Sequence, residues 1–595
     1  MNTLSSSVAV FLAALVFSLG LAAPVTAAPE NIGMDPTYAF SDRYPVEIAA
    51  SSGEALLTLL DLSIDFDRVD FNGGPDHPGT IRAYINDDER ATLETAGYTI
   101  TQIPNEGKEM WEKVQKEWEA RGALEAPVTL PDKGDRWTYW YSFAELEGDL
   151  QALANDNPDL IQKISIGQSV QGRDIWALKI SDNPTIEEAE PEFLFSSTIH
   201  GDEVTGMDMC LRMLHYLTDW YGINPSITEL VNNVEIWFIP LHNPDGYVNG
   251  TRYNAHGVDC NRDFPDPVSD PNDNPAGREP ETQHLMYFGY DHTFVLGGNM
   301  HGGAEVLNFP WDCRYDHTPD HDLFIEIAEG YTYLNPPLWN STEFYHGWTH
   351  GAEWYLIHGG QQDWWYEWRK ELHYTMELSN TKWPPYSQMD TFWSENRAAM
   401  LHMMDEVLYG VQGIVANSGT GLPVNATIDV VETGRTIRTD PDWGDYCRLL
   451  KPGTYTFQFA AEGYNNVTVN NVVVTHENKT ELNVSMTPEG SDVGVAEFVR
   501  INLSEPTPNP VNPSQGAVRL LLDLPRAAHL TAGVYDAAGR QIQILKEGFD
   551  LTRAGRHTLV WDGTTGSGDP AGSGIYWIRV LAGDQALSRR VSMIR

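Results

Sequence analysis

The sequence predicts a multidomain protein: a small α+β domain, a larger α/β domain with a mostly buried sheet, and two all-β sandwiches in tandem. Three observations carry this reading. The chain has 595 residues, too many for one core, and a length prior suggests about three to five domains. Its hydrophobic periodicity changes character twice. A Pro-rich run, "SEPTPNPVNPSQ", separates the last β-rich unit from the one before it.

The elements follow in order. Residues 1–28 read as a secretion signal, with the apolar run "VAVFLAALVFSLGLAA" followed by "PVTAAPE" and small residues Ala27 and Ala28 at the cleavage position. Residues 44–104 alternate as strand "VEIAA", helix "GEALLTLLDL", strand "SIDFDRVDF", strand "TIRAYIN", helix "DDERATLETAG" and strand "YTITQI". That βαββαβ order is the ferredoxin-like arrangement. A charged connector with helical character fills 105–135. From 136 to 408 apolar runs of buried-strand length, "EPEFLFSSTI" and "VEIWFIPL", alternate with helical patterns such as "MDMCLRMLHYLTDWY". Short strands punctuated by turn residues return at 411–488 and, after a linker at 489–516, again at 517–595.

Composition narrows the function classes. Apolar residues make up 41% of the chain and charged residues 21%, as in a globular protein. Eighty-four acidic against 38 basic residues give a formal charge of −46. That field repels phosphate backbones and anionic membranes, so nucleic acid is excluded as a partner. No apolar stretch after the leader is long enough to span a membrane, so the mature chain is expected to be secreted, extracellular or at a bacterial cell surface. Four cysteines are too few for a disulfide scaffold; one bridge, Cys260 with Cys313, is open after export.

The chemistry begins at "STIHGDEVTG", where His200 and Glu203 stand just past a buried strand, a usual address for a site in an α/β sheet. The same His-x-x-Glu spacing recurs at His350 and Glu353, so spacing alone is uninformative. A catalytic zinc takes three protein ligands and leaves one position for water. A third ligand is offered by "FVLGGNMHGGAEV", an apolar run that ends in His301.

Three further segments, "NPDGYVNGTRYNAHGVDCNRDFPD", "GAEWYLIHGGQQDWWY" and "HYTMELSN", join these two in a fixed order. Together they resemble the zinc metallocarboxypeptidase family, most closely its carboxypeptidase N/E/D branch, across nearly all of 136–408. The resemblance implies an α/β fold with a mixed sheet flanked by helices and one zinc ion held by His200, Glu203 and His301. It implies Glu377 as catalytic base and Arg252 as the cation facing the oxyanion. Asn261 and Arg262 are implied as the clamp on the substrate's terminal carboxylate, Tyr366 as the mobile cap, and Asp259 as the carboxylate that orients a histidine ligand. Asp312, in "NFPWD", falls where this branch places the acid of its specificity pocket, which implies preference for C-terminal Lys or Arg.

The flanking units carry resemblances of their own. "DYCRLLKPGTYTFQFAAEGY" is similar to the transthyretin-like domain that follows the catalytic domain in this branch. "VYDAAGRQI", "WDGTTGSG" and "SGIYWIRV" are similar to the Ig-like domains of flagellar hook-capping proteins and to C-terminal sorting domains. They imply contact with a cell surface or secretion machinery. The 44–104 unit has the element order of carboxypeptidase activation domains. The expected function is removal of a C-terminal residue from peptides or proteins. A cell-wall peptide or other amide hydrolase on the same fold is one alternative, and an inactive binding or adhesion protein the other.

Overall fold

The computed structural model describes residues 43–50, 55, 59, 64–70, 79–123, 137–489 and, with short gaps, 502–594. The leader at 1–28 and most of the helix expected after residue 52 lie outside the described residues.

The first four strands are β1 (Tyr44–Ala49), β2 (Asp65–Asp70), β3 (Thr80–Ile85) and β4 (Thr99–Gln102). They form a sheet in the order β2-β3-β1-β4 with every neighbouring pair antiparallel. Alternation decides which face is buried: Val46, Ile48, Ile81 and Ala83 meet Leu59 and Leu93 in a small core. The helix Asp87–Thr95 starts at a capping box, in which the Asn86 side chain accepts from the Glu89 amide and the Glu89 carboxylate returns to the Asn86 amide.

The connector is a helix over Glu106–Arg121, capped by Asn105 and stopped by Gly122 in the left-handed region (φ 67°). Its buried Trp118 donates from Nε1 to the Trp140 carbonyl at 2.8 Å and packs against Tyr247 and Trp383. Arg121 reaches the buried Glu145 at 3.0 Å. The connector is therefore seated on the large domain.

That domain is built on an eight-stranded mixed sheet of β5 (Ile161–Gln168), β6 (Asp174–Ile180), β7 (Glu192–Ser197), β8 (Glu235–Ile239), β9 (Phe294–His301), β10 (Ala304–Phe309), β11 (Trp348–His350) and β12 (Leu372–Ser379). The order is β11-β10-β12-β9-β7-β8-β6-β5. The central strands β12, β9, β7 and β8 are parallel. β7, β8 and β12 are buried at every position, the condition under which strands read as continuous apolar runs. The helix Thr205–Trp220 packs on β7 and β9 and against the helix Met389–Asp405. These are the strand-helix alternation and helical flanks expected from the sequence.

The second compact unit is all-β after residue 408. One part pairs two four-stranded sheets around Ile428, Val430, Phe457 and Phe459. The other pairs a three-stranded with a five-stranded sheet around Leu520, Val534, Trp561 and Ile578. All four cysteines are free thiols, so the bridge considered between Cys260 and Cys313 does not form. Among the described residues no helix is long and apolar enough to cross a membrane.

Candidate active site

The site gathers at the C-terminal ends of the parallel strands, where strand termini leave side chains free to converge. Past the end of β7 the chain turns through Thr198 (φ 58°) and delivers His200 and Glu203 ahead of the helix Thr205–Trp220. Gly201 lies against the Gly246 backbone so closely that a Cβ would fall 2.0 Å from the Gly246 carbonyl carbon; only glycine permits that approach. His301 is the last residue of β9, and Glu377 is its register partner on β12.

Three donor atoms face one point. Glu203 Oε2 lies 2.8 Å from His200 Nδ1 and 2.8 Å from His301 Nδ1, and the two Nδ1 atoms are 3.1 Å apart. All three residues are buried. A carboxylate and two imidazoles are a zinc donor set, and this is a His-Glu-His group whose ligand atoms already lie within ion-holding distance of one another. The far nitrogen of His200 donates to Asp259 Oδ1 at 3.0 Å, which fixes the tautomer and leaves Nδ1 facing the centre. The residues fit the ion.

The remaining groups surround that centre. Arg252 donates from Nε to Asp259 Oδ2 at 3.0 Å, and its Nη1 lies 3.3 Å from Glu203 Oε1. Arg252 and His200 hold the Asp259 carboxyl well below its usual range although burial pushes the other way. Asn261 accepts the Gln361 amide on Oδ1 at 2.8 Å, so its side-chain NH₂ remains to donate. Arg262 lines the same cavity and donates from Nη2 to the Phe66 carbonyl at 3.3 Å. Burial, and after it the Glu203 carboxylate, push Glu377 up to about 8, and its Oε2 has no partner.

Asp312 lines the cavity, 2% exposed, with Oδ1 unpartnered. Burial, and then Asp363, raise its carboxyl well above the usual range. The backbone amides of Asp312 and Cys313 both donate to Asp363 at 3.0 Å. Gly351 closes the wall; a Cβ there would fall 1.8 Å from Asp312 Oδ1.

One expected residue is absent from the cavity. Tyr366 is fully buried, its ring against Trp311 and Phe324 and its hydroxyl donating to Asp320 at 3.2 Å. Tyr355 lines the cavity instead, beside Trp354 and Ile357. Tyr366 belongs to a packed helical segment that follows Gln361–Trp364, whereas Tyr355 follows the short helix Gly351–Trp354. Three further residues were not singled out from the sequence. Asp363 supports the Asp312 backbone. Lys382 places Nζ 3.2 Å from Glu203 Oε1. Asp67, on β2, pairs with both Lys382 and Arg252. Lys382 left one signal, a cation soon after Glu377 in "MELSNTKW"; Asp67 left none.

Residues 146–399 match the zinc carboxypeptidase family, 410–487 the carboxypeptidase regulatory-like domain, and 509–585 the FlgD Ig-like domain. Human carboxypeptidase D is 36% identical over 382 residues, covering 59% of this chain and 27% of that protein. The human carboxypeptidase N catalytic chain is 33% identical over 392 residues, covering 58% of this chain and 84% of the relative. A crystal structure of carboxypeptidase A from Helicoverpa armigera aligns at 18% identity with a TM-score of 0.48, covering 61% of this chain and 97% of that one. The aligned region thus spans about a quarter of carboxypeptidase D and most of the carboxypeptidase N catalytic chain. The chain belongs to the zinc carboxypeptidase family, a family of metallocarboxypeptidases whose cofactor is one zinc ion.

Proposed function

We propose that this protein is a secreted metallocarboxypeptidase that hydrolyses the C-terminal peptide bond of peptides and proteins, with preference for terminal Lys or Arg. The observation that carries it is the triangle of His200, Glu203 and His301 with Glu377 beside it and Asp312 lining the same cavity. His200, Glu203 and His301 would hold the zinc, and Asp259 orients His200. When bound, the ion supplies Lewis acidity and lowers the pKa of a water.

The chain's own residues do the rest. Glu377 takes the proton of the attacking water and passes it to the leaving amine. Arg252 faces the charge that develops on the carbonyl oxygen. The Arg262 guanidinium and the Asn261 amide clamp the terminal carboxylate, which restricts cleavage to the last residue. Tyr355 covers the bound residue. Asp312, buried with an unpartnered oxygen, gains a partner when a terminal ammonium or guanidinium enters. The test is a panel of peptides that differ only in the last residue, with and without a chelator. Chelator-resistant cleavage, or equal rates on terminal Phe and Arg, removes the corresponding part of the proposal.

A second reading concerns residues 44–104. Their antiparallel β2-β3-β1-β4 sheet supports a ferredoxin-like fold, and Asp67 with the Phe66 carbonyl stands on Arg252, Lys382 and Arg262. We infer a propeptide-type domain, joined through a linker at 105–135, that occupies the cleft of the catalytic domain at 136–408. Asp67→Ala in the full chain would raise the rate on small substrates; an unchanged rate counts against inhibition. The leader at 1–28 supports export, and residues 517–595, beyond the regulatory-like sandwich at 411–488 and its linker, supply a tether to a cell surface or secretion machinery. Peptide and protein C-termini are the partners of the site.

A further inference from the structure

Two buried cations and two carboxylates, one of them the Glu203 of the donor triangle, form a closed square. Glu203 Oε1 lies 3.3 Å from Arg252 Nη1 and 3.2 Å from Lys382 Nζ. This is not the Glu203 oxygen that faces His200 and His301, which is Oε2. Opposite it, Asp67 Oδ1 touches Lys382 Nζ and lies 3.4 Å from Arg252 Nη1. Arg252, Lys382 and Glu203 all belong to the large domain. The fourth corner alone comes from elsewhere, from β2.

Arg252 Nη1 and Lys382 Nζ both reach Asp67 Oδ1 while their side chains are 4% and 10% exposed, so two nitrogen donors converge on one position now held by a carboxylate oxygen. Such a position suits an oxygen that carries negative charge. Asp67, Arg252 and Glu203 line the same cavity as Glu377, so the position lies within the reacting centre. We infer that Lys382 is a catalytic residue that, together with Arg252, binds the oxyanion formed on the scissile carbonyl oxygen, and that Asp67 Oδ1 marks its place. The inference rests on the proposed peptidase reaction.

The electron balance assigns Lys382 a purely electrostatic part. Water oxygen bonds to the carbonyl carbon, its proton goes to Glu377, and the carbonyl π pair moves onto the oxygen between Arg252 and Lys382. On collapse that pair re-forms the C=O bond, the C–N bond breaks, and the Glu377 proton goes to the amine nitrogen. Lys382 neither gives nor takes a proton. A lysine that only neutralised Glu203 would hold the ground state and the transition state alike.

The experiment uses the full chain in an Asp67→Ala background, with Lys382→Met and Lys382→Arg added. The readings are kcat and KM on a peptide ending in Arg, zinc content, and calorimetric affinity for a phosphonate transition-state analogue and for a product-like carboxylate lacking the tetrahedral centre. Lys382→Met is expected to lower kcat about 100-fold, in line with loss of one oxyanion donor. KM, zinc content and product-like affinity stay near the reference, and phosphonate affinity falls by the same factor as kcat/KM. Lys382→Arg is expected to recover most of the loss. Unchanged kcat and phosphonate affinity, or losses that follow zinc content, or equal losses for both ligands, overturn the inference. Calorimetry reads Lys382 even in a chain that does not turn over, so failure of the peptidase proposal is separately visible.

Discussion

Glu377 and His301 stand side by side as register partners on the parallel strands β12 and β9, in the layer where the sheet meets the cavity. The pairing places a carboxylate beside the donor triangle without contributing to it: His301 offers Nδ1 to Glu203 Oε2, while Glu377 keeps Oε2 free. A base that is not a ligand is what peptide hydrolysis at such a centre requires. Glu377→Gln, which keeps the shape of the side chain, is therefore expected to lower kcat by at least about 100-fold while zinc content, read by elemental analysis, stays at one per chain.

Removal of the ion separates stability from chemistry. A ligand that binds only the folded state at 1,000 times its Kd adds about 4 kcal/mol. Chelation should therefore lower the melting temperature by several degrees, and zinc should restore it. His301→Ala should show the lower value from the start and gain little from added zinc.

Asp312→Asn keeps the volume of the side chain and removes its charge. The rate on terminal Lys and Arg is expected to fall on the order of 100-fold, the cost of leaving a buried cation unpaired, with rates on terminal Leu or Phe little changed. Equal losses on all four termini would make Asp312 a structural residue.

The two tyrosines give opposite expectations. Tyr355→Phe should raise KM several-fold with little effect on melting. Tyr366→Phe removes a donor from buried Asp320 and should cost about 1 kcal/mol of stability, leaving KM alone. Denaturation and steady-state kinetics on the same preparations decide between them.

Acid should loosen the fold through His242. This fully buried imidazole donates from Nε2 to the Glu281 carbonyl at 3.0 Å, and burial pulls it down from 6.5 to about 4. The unfolded chain takes up the proton first. Its contribution is complete above about pH 6.5 and is lost as pH falls towards 4, up to roughly 3 kcal/mol. His242→Gln should flatten that window in denaturant titrations at stepped pH.

Much of this site was legible as chain order. His200, Glu203, His301 and Glu377 each follow or sit within a buried apolar run, so their positions at strand ends could be read from the pattern alone. The tandem all-β units after residue 408 were likewise written in periodicity. Tyr366 was not readable, because two tyrosines flank the Gly359–Gly360 turn and only packing tells which one faces the cavity. Asp363 and Lys382 act through backbone amides and through a neighbour's second oxygen, relationships that leave no spacing. Asp67 sits on a strand from a different domain, and nothing local to "DFDRVD" encodes what lies opposite.

The seating of Trp118 has a bearing on how the chain would mature. With its indole buried between Tyr247 and Trp383 and held to the Trp140 carbonyl, and with Trp111 lying over Gly250, the connector helix grips the large domain through side chains rather than through the peptide chain. A protease that nicks the polypeptide between Arg121 and Trp137 would yield two fragments on a denaturing gel but one particle in native chromatography. Cleavage and release would then be separate events, and a cut placed before Glu106, ahead of that helix, would be the one that frees the cleft.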